Sequence, residues 1–260
     1  MQVYFQLKKF LSLSHLFHLT GFTSIILLWE LVSLSGLFNS LLFPSPFAVV
    51  ASGSYLFLSG IIFVDLFSTI GKILFAIVIG SVIGFVIGAL LSLSKWLYEA
   101  FSPVLDFFRS VPATALFPLC IIILGVGDPT SFALATWIFA IYLSLHVAKG
   151  LRSTSEGYLL VAKSLRKTPL EIFLQVRLFE ALPVIFVGLR TATSLAVVVT
   201  IVTEMFVGTT HGLGKALIDS AYSYDMAKLY AVIFLVGILG YLLNKIIIIA
   251  EKRIVHWEGK

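Results

Sequence analysis

Long apolar stretches alternate with short polar ones along the chain. Six of these stretches hold about the 20 residues that a helix needs to cross the hydrocarbon core of a bilayer. They lie at roughly 16–36, 67–93, 101–125, 131–149, 183–206 and 228–250. The pattern predicts an all-α, polytopic membrane protein with about six transmembrane helices, and an even number of spans places both termini on the same side of the membrane.

The basic residues indicate which side that is. Thirteen lysines and arginines lie at the two termini or in loops on the termini's side: Lys8, Lys9, Lys95, Lys149, Arg152, Lys163, Arg166, Lys167, Arg177, Lys245, Lys252, Arg253 and Lys260. Three lie on the opposite side, at Lys72, Lys215 and Lys228. Because cytoplasmic loops carry an excess of Lys and Arg, we expect both termini to be cytoplasmic.

Composition supports the membrane assignment and argues against a nucleic-acid-binding protein or an enzyme. Hydrophobic residues make up 59% of the 260-residue chain and charged residues 12%, which leaves too little polar surface to cover a soluble core. The formal charge of +5 falls mainly on the predicted cytoplasmic surface, so it indicates contact with membrane lipid and not with nucleic acid. The sequence contains no His/Cys cluster with metal-ligand spacing and no Ser/His/Asp arrangement, so we expect no enzymatic site and no cofactor in this chain.

The second predicted span carries small residues at a regular interval. Ala76, Gly80, Gly84 and Gly88 recur every fourth residue and would form a groove along one side of a helix. Such a groove lets a neighbouring backbone approach closely. We interpret it as a packing face and not as a ligand site.

The fifth predicted span carries a polar stripe. Arg190, Thr193, Thr200 and Glu204 fall within about 80° of arc on a helix, with Ser194 at the edge. Ionisable groups within a span are costly in lipid and normally face protein or water. The stripe therefore fits a translocation path or gate, or a network that only holds helices together.

Two further ionisable residues stand in the third predicted span. Asp106 and Arg109 are three residues apart and can pair on one helix face. For this pair we favour a structural role over a ligand role.

The longest internal hydrophilic segment separates the fourth and fifth predicted spans. Ser155 can begin one short amphipathic helix, and Thr168-Pro169 can begin a second with Ile172, Phe173 and Val176 facing inward. Two such helices could rest on the inner membrane surface or present a docking face to a soluble partner.

Short motifs spaced over most of the chain resemble those of bacterial ABC importer permeases. In chain order they are Leu42-Phe43-Pro44-Ser45-Pro46, Ser102-Pro103-Val104-Leu105-Asp106, Arg109-Ser110-Val111-Pro112, Phe117-Pro118, Leu124-Gly125-Val126-Gly127, Val161-Ala162-Lys163-Ser164-Leu165, Ala181-Leu182-Pro183, Gly188-Leu189-Arg190, Glu204-Met205 and Gly212-Leu213-Gly214. More narrowly, the chain is similar to permeases for nitrate, bicarbonate, taurine, alkanesulfonates and thiamine or riboflavin precursors.

The resemblance implies a type I importer permease, a single transmembrane domain over residues 1–260 in the bacterial inner membrane. It also implies three partners: a cytoplasmic ABC ATPase, a second permease copy or a paralogue, and an extracytoplasmic solute-binding protein. ATP and Mg²⁺ would be bound by the ATPase and not by this chain. The solute would be a small polar or anionic molecule.

Within this family, a cytoplasmic loop called the EAA loop docks in a groove of the ATPase. The corresponding segment is 150–178, and coupling to the ATPase is expected through the loop at 156–168. The residues implied in coupling are Leu160, Val161, Ala162, Lys163, Ser164, Leu165, Arg166 and Lys167. Three positions depart from the family pattern: Leu160 replaces a Glu, Arg166 a Gly and Phe179 a Pro. A residue other than Gly at 166 makes a left-handed turn costly unless the turn is redrawn.

Two other functions fit parts of the pattern. A secondary transporter, driven by an ion gradient, would predict inverted repeats and a helix broken at the membrane midplane, and neither is clear in the sequence. A membrane scaffold without transport activity would explain why the loop departs from the family pattern.

Overall fold

The computed structural model describes residues 20–257, and this part of the chain is helical without strands. Its helices are α1 (Thr20–Leu34), α2 (Pro46–Leu58), α3 (Ile61–Ser92), α4 (Lys95–Ser110), α5 (Phe117–Leu124), α6 (Asp128–Arg152), α7 (Glu156–Ser164), α8 (Pro169–Ile172), α9 (Leu178–Phe206), α10 (Leu213–Tyr222) and α11 (Met226–Ile254). A 3₁₀ turn, Ala113–Leu116, precedes α5, and a π-helical turn, Phe173–Arg177, joins α8 to α9. The first residues of the predicted first span, 16–19, and the terminal lysines Lys8, Lys9 and Lys260 lie outside the described residues.

Four helical segments are long and apolar enough to cross a membrane: α3, α6, the continuous helix Pro169–Phe206, and α11. They confirm the second, fourth, fifth and sixth predicted spans. Helix α6 lies at the centre, packed along α3 on one side and α9 on the other. Its most apolar window is 67% buried, against 17% for α11, so the core of the chain forms around α6.

The small-residue stripe of α3 is the packing face that the sequence predicts. Gly84 and Gly88 lie against the backbone of α6, where an added Cβ would come within 2.8 Å of the Ala140 carbonyl oxygen and 2.5 Å of the Ser144 carbonyl oxygen. Real Cβ atoms do not approach so closely, so only glycine permits this helix separation.

The third predicted span is not one continuous helix. Helix α4 and the segment Ala113–Leu124 meet at an angle of 87°. Pro112 explains the break, because it lacks an N–H and forces an extended conformation on Val111, whose ψ is 121°.

The two halves of this bent segment still cross the membrane together. The first half begins beside the inner end of α6, where Arg152 Nη1 donates to the Ser94 carbonyl at 3.3 Å. The second half ends at Leu124, four residues before the outer end of α6 at Asp128. The pair therefore runs the length of α6 and is a broken span.

The sequence did not predict the short helices α2 and α10, nor the continuity of α8 with α9. Helices α2 and α10 lie on the outer side and are too short to read as spans. The second helix of the cytoplasmic segment is not separate, because α8 continues through the π turn into α9. Motion of the cytoplasmic loop is therefore tied mechanically to a membrane-spanning helix.

Candidate functional site

The cytoplasmic loop forms a short helix that ends in a left-handed residue. Helix α7 ends at Ser164, and Arg166 has a φ of 54°. The Arg166 N–H donates to the Lys163 carbonyl at 2.9 Å, and the Lys167 N–H donates to the Ala162 carbonyl at 3.2 Å. These are the two bonds of a Schellman motif. The turn is thus kept and not redrawn, with Arg166 in a conformation that costs a side chain about 1–2 kcal/mol.

The side chains of α7 divide into a buried and an exposed set. Ala162 is 5% exposed and faces the rest of the chain, whereas Leu160, Val161 and Leu165 are 65%, 58% and 67% exposed. The neighbouring Lys163, Ser164 and Arg166 are also exposed. The predicted coupling residues thus form an apolar surface bordered by positive charge. Ala162 is the residue of this segment that packs against the rest of the chain.

The segment after this surface is fixed by local hydrogen bonds. The Thr168 N–H donates to Glu171 Oε2 at 2.7 Å, and the Glu171 N–H donates to Thr168 Oγ1 at 3.3 Å. This reciprocal pair is a capping box, and it begins the helix that continues into α9. A cavity of about 620 Å³ lies between α7, the start of α9 and Trp257. Phe179, one of the departures from the family pattern, contacts the Trp257 ring at a centroid distance of 5.6 Å.

Two residues of the α9 polar stripe face α11. Arg190 Nε lies 3.7 Å from Glu251 Oε2, and its side chain is 34% exposed. The Ser194 hydroxyl accepts a hydrogen bond of 2.9 Å from Asn244 Nδ2. Both contacts connect the middle of α9 to the inner half of α11.

The other three residues of the stripe are buried within the chain. Thr193 and Thr200 are fully buried, and their hydroxyls have no hydrogen-bond partner within residues 20–257. Glu204 lies at the outer end of α9 and is 1% exposed. The stripe therefore does not surround one common space within this chain.

Glu204 belongs to a group of polar side chains that we call the outer polar cluster: Thr69, Lys72, Asp128 and Glu204. Lys72 Nζ lies 3.0 Å from Glu204 Oε1 and 2.8 Å from Asp128 Oδ1, and it donates to the His211 carbonyl at 2.9 Å. Thr69 Oγ1 lies 2.9 Å from both Glu204 oxygens. These contacts tie α3, α6 and α9 together at their outer ends.

The outer polar cluster also holds the glycine-rich loop that follows α9. The Gly214 N–H donates to Glu204 Oε2 at 2.9 Å, and the Leu213 N–H donates to Thr69 Oγ1 at 2.8 Å. A Cβ at Gly212 would overlap the Glu204 carboxylate, so the loop backbone lies directly on that side chain. Glu204 thus fixes the loop and the start of α10.

Lys72 was predicted to be a basic residue on the outer surface. Its side chain is instead buried in this cluster, with 2% exposed. A signal was present in the sequence. Thr69 and Lys72 continue the face of Ala76, Gly80 and the later glycines at a spacing of three to four residues. A lysine on a predicted packing face requires a buried carboxylate as its partner.

The predicted pair in the third span is confirmed. Arg109 Nη2 lies 3.0 Å from Asp106 Oδ1, and the two side chains are 45% and 53% exposed. The Arg109 guanidinium also lies 5.8 Å from the ring centroid of Tyr142 on α6. Both charged side chains are therefore exposed on the surface of the chain, one turn before the break in the span.

Comparison with known proteins agrees with this architecture. Residues 76–256 match the sequence profile of a family described as binding-protein-dependent transport system inner membrane component. A probable ABC transporter permease protein of Haemophilus influenzae is 28% identical over 81% of this chain and 85% of its own length.

Several relatives are named for a solute. A putative aliphatic sulfonates transport permease protein of Bacillus subtilis is 26% identical over 90% of this chain and 85% of its own length. A nitrate import permease protein of Synechocystis is 25% identical over 76% of this chain and 71% of its own length. Among solved structures, a chain of the MetNI methionine ABC transporter in inward-facing conformations superposes with a TM-score of 0.62 at 25% identity, covering 74% of this chain and 93% of that one.

Proposed function

The chain belongs to the binding-protein-dependent transport system inner membrane component family, as a permease with the type I ABC importer fold, and from this premise we propose that it couples solute passage to a separate ATPase through residues 156–168. The chain itself is a transmembrane permease subunit and not an enzyme, since ATP hydrolysis in this family occurs in the ATPase. The observation that carries the proposal is the exposed apolar surface of α7.

Three properties of α7 support a docking role. Leu160, Val161 and Leu165 are more than half exposed on the side of the chain that carries the basic residues. The Schellman turn and the capping box hold the segment in one conformation. The helix then continues from Pro169 to Phe206, so a displacement of the docking surface moves α9 as well.

We infer that the transported solute is a small oxyanion, delivered by an extracytoplasmic binding protein. The support is the chemistry of the relatives, which are named for nitrate and for aliphatic sulfonates. A second permease, either another copy of this chain or a paralogue, would complete the path. ATP and Mg²⁺ belong to the ATPase in this proposal.

For the polar stripe of α9 we propose a gating role and no direct contact with solute at its buried members. Arg190 and Ser194 join α9 to α11 on the inner side, and Glu204 joins α9 to α3 and the outer loop. Thr193 and Thr200 are buried between these two ends. A helix held by polar contacts at its middle and at its outer end can exchange one set of contacts for another when it moves.

The docking proposal is tested by copurification with the ATPase encoded in the same operon. Leu165→Glu places a charge on the α7 surface, and Leu93→Glu is the matched control, because Leu165 and Leu93 are 67% and 65% exposed on the inner side. We expect Leu165→Glu to lose most of the bound ATPase and Leu93→Glu to keep it, with equal amounts of both variants in the membrane.

The outcomes also separate the remaining alternatives. Equal retention of the ATPase by both variants would refute docking through α7. If no ATPase copurifies with the unmodified chain, a secondary transporter or a scaffold would be favoured instead. A broken span, such as the third one here, is expected of a secondary transporter.

A further inference from the structure

The observation that leads beyond the proposed function is the exposed Asp106–Arg109 ion pair at the break in the third span. The pair is level with the middle of α6, a helix long enough to cross a membrane. Phe108 contacts the ring of Trp137, and Arg109 lies over Tyr142. These two aromatic residues are about 14 and 21 Å from the outer end of α6 at Asp128, on a helix about 37 Å long.

The pair continues a polar stripe along α4. On a helix, Glu99, Ser102, Asp106 and Arg109 fall within about 80° of arc. The stripe begins beside the inner end of α6 and ends at the break. Phe107 lies about 160° away from Arg109 on the same helix and is 65% exposed. Helix α4 is therefore amphipathic along its length, although it lies within a membrane-crossing segment.

An exposed ion pair at this depth does not face hydrocarbon. Ionisable side chains within spans face a protein interior or a water-filled cavity because lipid cannot solvate them. Asp106 and Arg109 are about half exposed in the single chain, so the chain's own helices do not enclose them. Water or a second permease must therefore lie on this side of α4.

We propose that the break in the third span lines the translocation path and that Arg109 is a transient binding site for the oxyanion solute; this rests on the importer function proposed above. Within residues 20–257, Arg109 makes polar or ring contacts with Asp106 and Tyr142, which leave most of the five guanidinium N–H donors free. A guanidinium matches two oxygens of a nitrate, sulfonate or carboxylate group at once.

Asp106 has a defined part in this proposal. The Asp106 carboxylate holds the Arg109 guanidinium in place and partly neutralises its charge. An anion entering the path therefore has to displace the Asp106 carboxylate, which keeps its binding to Arg109 weak. A path must bind its solute strongly enough to admit it and weakly enough to release it. The neighbouring Ala113 packs with Leu195 and Val199, so movement of α9 displaces the break directly.

The test uses thiol reactivity in the complete importer in membranes. In a Cys120→Ser background, Ser102→Cys places a thiol on the polar stripe two turns before Arg109, and Phe107→Cys serves as the control, about 140° away around α4. The probes are a membrane-impermeant anionic sulfonatoethyl thiosulfonate and its cationic trimethylammonium analogue. We expect Ser102→Cys to react with the anionic probe and Phe107→Cys to be unreactive. Adding Arg109→Gln should lower the ratio of anionic to cationic reaction rates at least about tenfold.

Each result decides the proposal. Equal reaction of the two thiols, or reaction of neither, would show that α4 does not line an aqueous path. Reaction at Ser102→Cys with a rate ratio unchanged by Arg109→Gln would show a path without an anion site. These readouts do not depend on ATP hydrolysis, so they remain informative if the ATPase proposal fails.

Uptake provides the second measurement. In proteoliposomes with the ATPase and the binding protein, we expect Arg109→Gln to lower nitrate or methanesulfonate uptake at least tenfold and Arg109→Lys to lower it less. Lys95→Gln, a change at the exposed inner end of α4, is the control and should leave uptake unchanged. Unchanged uptake in Arg109→Gln would overturn the binding site, and loss of the second permease from the complex would assign Arg109 to a subunit interface instead.

Discussion

The outer polar cluster makes a prediction about stability that follows from its geometry. Glu204→Gln keeps the size of the side chain but replaces one carboxylate oxygen with an NH₂ group. The Gly214 N–H, the Lys72 ammonium and the Thr69 hydroxyl all surround the carboxylate within 3.0 Å. Because these partners all donate to Glu204, the amide nitrogen must face at least one other donor.

The cost is the sum of two effects. A hydrogen bond to a charged group contributes about 1.5–3 kcal/mol, and a buried donor left without a partner costs about 1–3 kcal/mol. The expected loss is therefore about 3–5 kcal/mol, which is also typical of breaking a buried ion pair. For a chain of this size it corresponds to a fall in Tm of roughly 10 °C. Lys72→Met combined with Glu204→Gln should cost less than the two single changes added together, because the residues are in contact.

The assay is thermal unfolding of the purified chain in nanodiscs. Asp219→Asn is the matched control, since it breaks an outer ion pair with Lys215 whose two side chains are 36% and 53% exposed. Such an exposed pair contributes at most about 0.5 kcal/mol. If Glu204→Gln lowers Tm no more than Asp219→Asn does, the cluster does not hold the outer ends of the helices together as described.

Two further predictions concern single backbone positions. Arg166→Gly should raise the free energy of unfolding by about 1 kcal/mol, because glycine adopts the left-handed turn without steric cost; chemical denaturation measures this, and a decrease in stability would contradict the Schellman geometry. Gly88→Val should lower Tm by more than 5 °C, roughly, because its side chain would meet the Ser144 carbonyl, whereas Gly71→Ala, where the added Cβ meets nothing within 4 Å, should be neutral or stabilising. Equal Tm values for the two glycine variants would argue against the close packing of α3 on α6.

Much of the fold could be predicted from hydropathy alone, because the membrane requires long apolar helices. Four of the predicted spans match α3, α6, the helix Pro169–Phe206 and α11. The packing face around Gly84 was also predicted, since spaced small residues have one physical use in a helix within a membrane. These features depend on local sequence pattern and need no knowledge of distant contacts.

The features that were not predicted depend on distant contacts or on a single residue. The break at Pro112 lies in a run apolar enough to read as one span, and hydropathy does not report chain direction. The burial of Lys72 depends on Glu204, which is 132 residues away in sequence. The polar stripe of α9 follows from helix periodicity, but its members contact different helices, and the sequence does not show which neighbouring helix covers each side chain.

The most direct test of the central proposal is the ATPase rate of the complex purified from the native operon, reconstituted with and without its solute-loaded binding protein. The proposal predicts an ATPase bound in a ratio near one to one, with hydrolysis that the binding protein stimulates in the unmodified complex. Leu165→Glu should abolish this stimulation. A stable, folded permease that copurifies without any ATPase would contradict it.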